Sequence, residues 1–64
     1  MADIESDYDI FQELSNGEKF WQCYVRDFMT ASDTVAKLGR VTKNEVFAFC
    51  IATQQVVVRA NATK

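Results

Sequence analysis

The sequence predicts a mostly β domain, a small and strongly bent antiparallel barrel of five strands at roughly 9–15, 18–28, 33–41, 45–53 and 55–60. Three observations carry this expectation. Asn16-Gly17 stands between two apolar-rich segments, Val46 to Ala52 is an almost unbroken apolar run, and Val56-Val57-Val58 sets three β-branched residues in succession.

The 64 residues allow one domain, 1–64, with the polar, acidic stretch 1–7 expected to be flexible. The first strand, with Ile10, Phe11 and Leu14, runs into Asn16-Gly17. That dipeptide favours a hairpin because its residues tolerate the positive φ of a type I′ turn. The second strand, Lys19-Phe20-Trp21-Gln22-Cys23-Tyr24-Val25, is rich in the aromatic and β-branched residues that suit a pleated surface. Phe20, Trp21, Tyr24, Val25, Phe28 and Met29 also recur at helical spacing, so an amphipathic helix over 18–30 stays open.

Thr34-Val35-Ala36-Lys37-Leu38 mixes polar and apolar residues and reads as a third strand, ended by the turn Thr42-Lys43-Asn44. The apolar run after Glu45 is the fourth. Gln54-Gln55 leads into the valines of the fifth, which lose rotamer freedom in a helix and favour a strand. An apolar edge strand is an aggregation hazard unless paired or covered. A neighbouring copy is therefore expected at a seam formed by Val46, Phe49, Ile51, Val56, Val57 and Val58. An all-α alternative is a helix-turn-helix DNA binder across 35–46, which needs residues 45–58 to be helical against their β-branched content.

Size points to the same partner. A chain this short buries only about 60% of the surface its unfolded form exposes, so small domains lean on disulfides, metals or other chains. Cys23 and Cys50 lie inside apolar runs and read as small buried hydrophobes rather than a bridge. Two cysteines without histidine do not complete a zinc site within one chain, and no cofactor is expected. That leaves self-association.

Two stretches resemble the Sm/LSm superfamily, its bacterial Hfq branch in particular. Leu14-Ser15-Asn16-Gly17-Glu18-Lys19-Phe20 is similar to the Hfq pattern of Asn-Gly, one residue, then lysine before an apolar residue. Val46-Phe47-Ala48-Phe49-Cys50-Ile51-Ala52-Thr53 looks like the second Sm motif. The resemblance covers roughly residues 10–58 and implies a homo-oligomeric ring that binds single-stranded RNA. Ala48 and Phe49 stand where Hfq has the lysine and histidine of its uridine pocket, the strand-bending glycine is replaced by Gln22 or Cys23, and Asp27-Phe28 reverses the aromatic-aspartate element.

The resemblance places Lys19, Asn44 and Phe47 at RNA-contacting positions. Phe47 there stacks a base, with packing in the chain's own core as the alternative. Lys37, Arg40 and Lys43, with Arg59, are candidates for phosphate contacts, or a solubilising rim. A net charge of −2 opposes strong nucleic-acid binding, although residues 35–64 carry five bases against one acid. An oligomer that has lost the RNA chemistry is the second functional class.

No catalytic constellation is visible. There is no histidine to act as a base near neutral pH and no glycine-rich phosphate loop. Asp3, Glu5, Asp7 and Asp9 lie in a segment too polar to hold fixed geometry. Neither an enzyme nor a small-molecule substrate is expected. The acidic N-terminus does not read as a signal peptide, and no apolar run reaches the 18 or so residues that span a bilayer. The cytoplasm is the expected location, without a membrane partner.

Overall fold

The structure, a computed structural model, describes residues 7–61. It is mostly β: four antiparallel strands in one open sheet, with a single helix. The elements are β1 (Tyr8–Glu13), β2 (Lys19–Val25), α1 (Phe28–Val41), β3 (Glu45–Cys50) and β4 (Gln55–Ala60). The strand order is β2-β1-β3-β4, so β1 and β3 are central and β2 and β4 form the edges.

The hairpin at Asn16-Gly17 forms, with a different turn from the expected one. Gly17 N–H donates to the Leu14 carbonyl (2.9 Å) and Leu14 N–H to the Glu18 carbonyl (2.8 Å). Gly17 has φ +92°, and Asn16 is not among the residues of positive φ. This is a turn closed by a left-handed glycine, the arrangement of three-residue hairpin loops, rather than a two-residue type I′ turn. The Asn16 side chain accepts from Glu18 N–H at 2.9 Å, which holds the loop.

The largest departure from the sequence expectation is the segment 33–41, which is helical. Asp27 caps α1: its carboxylate accepts from Thr30 N–H (2.8 Å) and from the Thr30 hydroxyl (2.9 Å), which satisfies donors that a helix start leaves orphaned. Ala31, Val35 and Leu38 then recur on one face. Ala31 and Val35 are fully buried and Leu38 packs beside them. The strand expected over 33–41 fails because the apolar Val35 and Ala36 are adjacent and break a period of two, whereas the stripe that begins at Ala31 has helical period. With that segment helical, the described residues form four strands in an open sheet, with no fifth strand among them to close a barrel. The helix-turn-helix alternative fails for the opposite reason, since Glu45–Cys50 is a strand.

The last two strands fall close to their expected places. The fourth ends at Cys50 rather than 53, because residues 51–54 form the turn into β4, closed by Gln54 N–H on the Cys50 carbonyl at 2.7 Å. Helix α1 lies across β3 and β4 and reaches β1. The core therefore sits on one face of the sheet, where Tyr8, Ile10, Val46, Ala48 and Cys50 meet Ala31 and Val35. Cys23, Val25, Val58 and Ala60 border it. Gly39 lets the helix approach β4: a Cβ there would meet the Ala60 Cβ at 2.7 Å.

Candidate binding surface

Strand residues alternate between faces, so each core residue is flanked by one pointing to the uncovered side. Register then builds the open face row by row. Trp21 pairs with Phe11, Phe11 with Phe47 and Phe47 with Arg59, a row that crosses all four strands. On one side of it, Lys19 pairs with Glu13 and Glu13 with Glu45. On the other, Tyr24 pairs with Asp9, Asp9 with Phe49 and Phe49 with Val56.

Two bulges shape these rows. Ile10 faces Cys23 while Phe11 faces Trp21, which leaves Gln22 as the extra residue of β2. Ala48 faces Val58 while Phe49 faces Val56, which leaves Val57 extra in β4. A bulge increases local twist and re-aims side chains.

At the centre of the open face, the Phe11 and Phe47 rings stack with centroids 5.5 Å apart and 21° between planes. Phe11, Lys19, Phe47, Phe49 and Val56 line an apolar depression of about 290 Å³. Polar pairs surround it. Arg59 donates to Glu45 at 2.8 Å, Trp21 Nε1–H donates to Asp9 at 3.1 Å, and Lys19 lies 4.0 Å from Glu13. The Tyr24 phenol is raised above its ordinary pKa by desolvation and by the hydrogen bond and charge of Asp7. Four carboxylates (Asp7, Asp9, Glu13, Glu45) thus share this face with two cations, Lys19 and Arg59.

The residues singled out from the sequence are dispersed. Lys19, Phe47, Phe49 and Val56 come together on the open face. Phe47 is only 6% exposed, walled in by its neighbours. Val46 is fully buried under α1, and Val58 packs against the same core. Ile51 lies in the exposed β3–β4 turn, and Val57 is the exposed bulge residue of the β4 edge. Lys37, paired with Asp33 at 3.2 Å, and Arg40 sit on α1, on the far side of the sheet.

Lys43 and Asn44 belong to the α1–β3 loop. There Asn44 Nδ2 donates to Gln12 Oε1 at 2.6 Å, and the two residues border a second cleft of about 310 Å³ against Glu13, Leu14, Ser15 and Gly17. A third depression, about 560 Å³, runs over the first turns of α1 beside Phe28 and Met29. Its lining comes from one helix, with no second element facing it.

Phe11, Trp21 and Glu45 complete the open face without having been singled out. Their membership follows from register, and which residues of β1 and β2 share a face with Phe47 depends on a bulge. The Asp27–Thr30 cap, by contrast, has a readable signal: a capping carboxylate that accepts from the residue three positions on.

Among the described residues no cluster of His, Cys, Asp and Glu is suited to hold a metal ion, and no helix is long and apolar enough to cross a membrane. Comparison with known proteins finds no matching family model, no matching curated protein and no matching solved structure.

Proposed function

We propose that the chain is a non-catalytic binding module whose working surface is the open face of its sheet, and that its partner is a protein surface. The carrying observation is the arrangement of that face. An apolar depression of Phe11, Phe47, Phe49 and Val56 is ringed by the polar pairs Lys19–Glu13, Arg59–Glu45 and Trp21–Asp9. A buried apolar centre with a polar rim is the anatomy of a protein–protein interface.

An environment-sensitive naphthalene sulfonate dye at about 1 μM chain tests the site, because dyes of this kind report exposed apolar surface. Fluorescence enhancement that Val56→Asp abolishes and Met29→Ser leaves intact supports the reading. Enhancement that follows Met29 instead places the binding surface on α1 and overturns it.

A second reading keeps the Sm-like expectation of weak single-stranded RNA binding. The observation that favours it is the Trp21-Phe11-Phe47 row, since bases stack on aromatic side chains in a sequence-tolerant way. The burial of Phe47 and the excess of carboxylates on the face count against it. Lys37 and Arg40 lie on the other side of the sheet and do not join Lys19 in one phosphate track. Fluorescence anisotropy with short oligo-U, oligo-A and oligo-C decides: binding at about 50 mM salt that fades by about 200 mM supports stacking plus phosphate contacts, and no binding at either leaves the protein partner.

A further inference from the structure

We infer that the occupant of the open face is a second copy of this chain, packed sheet to sheet about a two-fold axis along the strands. This rests on the open face being the working surface. The alternative routes to self-association, pairing at the β4 or the β2 edge, are interrupted by the Val57 and Gln22 bulges, a device that blunts edges.

Such an axis superposes β2 on the partner's β4 and β1 on the partner's β3. In the central row, Phe11 then meets the partner's Phe47, and Trp21 meets the partner's Arg59. The row is self-complementary: rings face rings at its middle, and a guanidinium faces an indole at both ends, a favourable cation–π pairing. Trp21 is 57% exposed and available for this contact. Glu13 and Glu45 approach across the axis, but each keeps its own cation, Lys19 and Arg59. A phosphate backbone meets four carboxylates on this face and gains no such match.

The area is sufficient. Four strands about 4.8 Å apart and about 20 Å long present roughly 400 Å² in projection per copy. Two such faces remove on the order of 1,000 Å² of accessible surface, at the lower end for a specific interface. Aligned sheets pack in this way at about 10 Å. The chain's small core supplies the need for it.

The test is light scattering after size exclusion on the full chain, at about 100 μM and about 1 μM, as suits a weak interface. The expected mass is twice the 7.3 kDa of the chain when concentrated, falling to one chain on dilution. Phe49→Asp, which acts on the open face, should give one chain at both concentrations with unchanged circular dichroism, and Val57→Asp should keep the dimer. A wild-type mass of one chain at the higher concentration, a particle of many subunits, or a dimer lost with Val57→Asp and kept with Phe49→Asp overturns the inference.

If Phe49→Asp does not fold, acrylamide quenching of Trp21 in the wild type decides. Protection that grows with concentration supports the dimer, and constant quenching overturns it. A monomer whose Trp21 emission still shifts with oligonucleotide sinks the second copy while leaving the open face as a binding surface. A monomer that also fails the dye test sinks both.

Discussion

The backbone of Gly39 in α1 lies so close to β4 that a methyl group there would stand 2.7 Å from the Ala60 Cβ. Both atoms are fixed to backbone, so neither can swing away. Gly39→Ala gains about 1 kcal/mol of helix propensity, but overpacking costs about 1–3 kcal/mol and should win. Urea denaturation is expected to show a net loss, and Ala60→Gly in the same chain should recover most of it. Additive losses in the double variant would mean that the two sites do not couple.

Asp27 carries the start of the helix. The hydrogen bond from Thr30 N–H, and then the one from the Thr30 hydroxyl, hold its carboxyl below the ordinary value of 3.8. A carboxyl depressed in the folded state contributes stability that is present above its unfolded pKa and lost as pH falls through the folded one. The melting temperature of the wild type should therefore drop on acidification below about pH 4. Asp27→Asn keeps a capping oxygen and should flatten that acid slope, while Asp27→Ala should lower the melting temperature at pH 7 as well. An acid slope unchanged in Asp27→Asn would assign it to other carboxylates.

Asn61 ties the end of β4 to the end of α1. Its Nδ2 donates to the carbonyls of Gly39 (2.9 Å), Thr42 (2.8 Å) and Asn44 (3.2 Å), with φ at +59°. Asn61→Asp removes the donor and sets a carboxylate against three carbonyls. A loss of about 1 kcal/mol is expected at this exposed position. Asn61→Gly should cost less, since glycine adopts the left-handed backbone freely. Equal losses would show that the amide, not the backbone angle, is what matters.

Cys23 and Cys50 occupy β2 and β3, the two neighbours of β1, and pair in register with Ile10 and Tyr8. Strands two apart are separated by about 10 Å, beyond the roughly 7 Å that a disulfide spans between Cα atoms. Alkylation under denaturing, non-reducing conditions should add two groups per chain by mass. Finding none would require a different strand order.

Legibility followed the range of the signal. Asn16-Gly17 marked the first hairpin, and Val56-Val57-Val58 marked β4, because turn chemistry and β-branching act within a few residues. The helix was hidden because Thr34 to Leu38 mixes polar and apolar residues over too short a run to show its period, and Gly39 looks like a breaker. Its true reason is Ala60, a contact 21 positions away. The open face was half legible: Phe47, Phe49 and Val56 stood out, but their company with Phe11, Trp21 and Arg59 is set by pairing register and two bulges. Those are products of tertiary fit.

The strand order has a kinetic side. The β1–β2 and β3–β4 hairpins and α1 each close over short stretches of chain. The β1–β3 pairing joins residues 32 to 42 positions apart, from Glu13–Glu45 to Tyr8–Cys50. Loop-closure entropy is spent before that ladder returns anything. The two halves are therefore expected to form early and separately, with zipping of the central seam as the slow step. Substitutions along that seam should slow folding, whereas changes at the outer edges of β2 and β4 should mainly hasten unfolding.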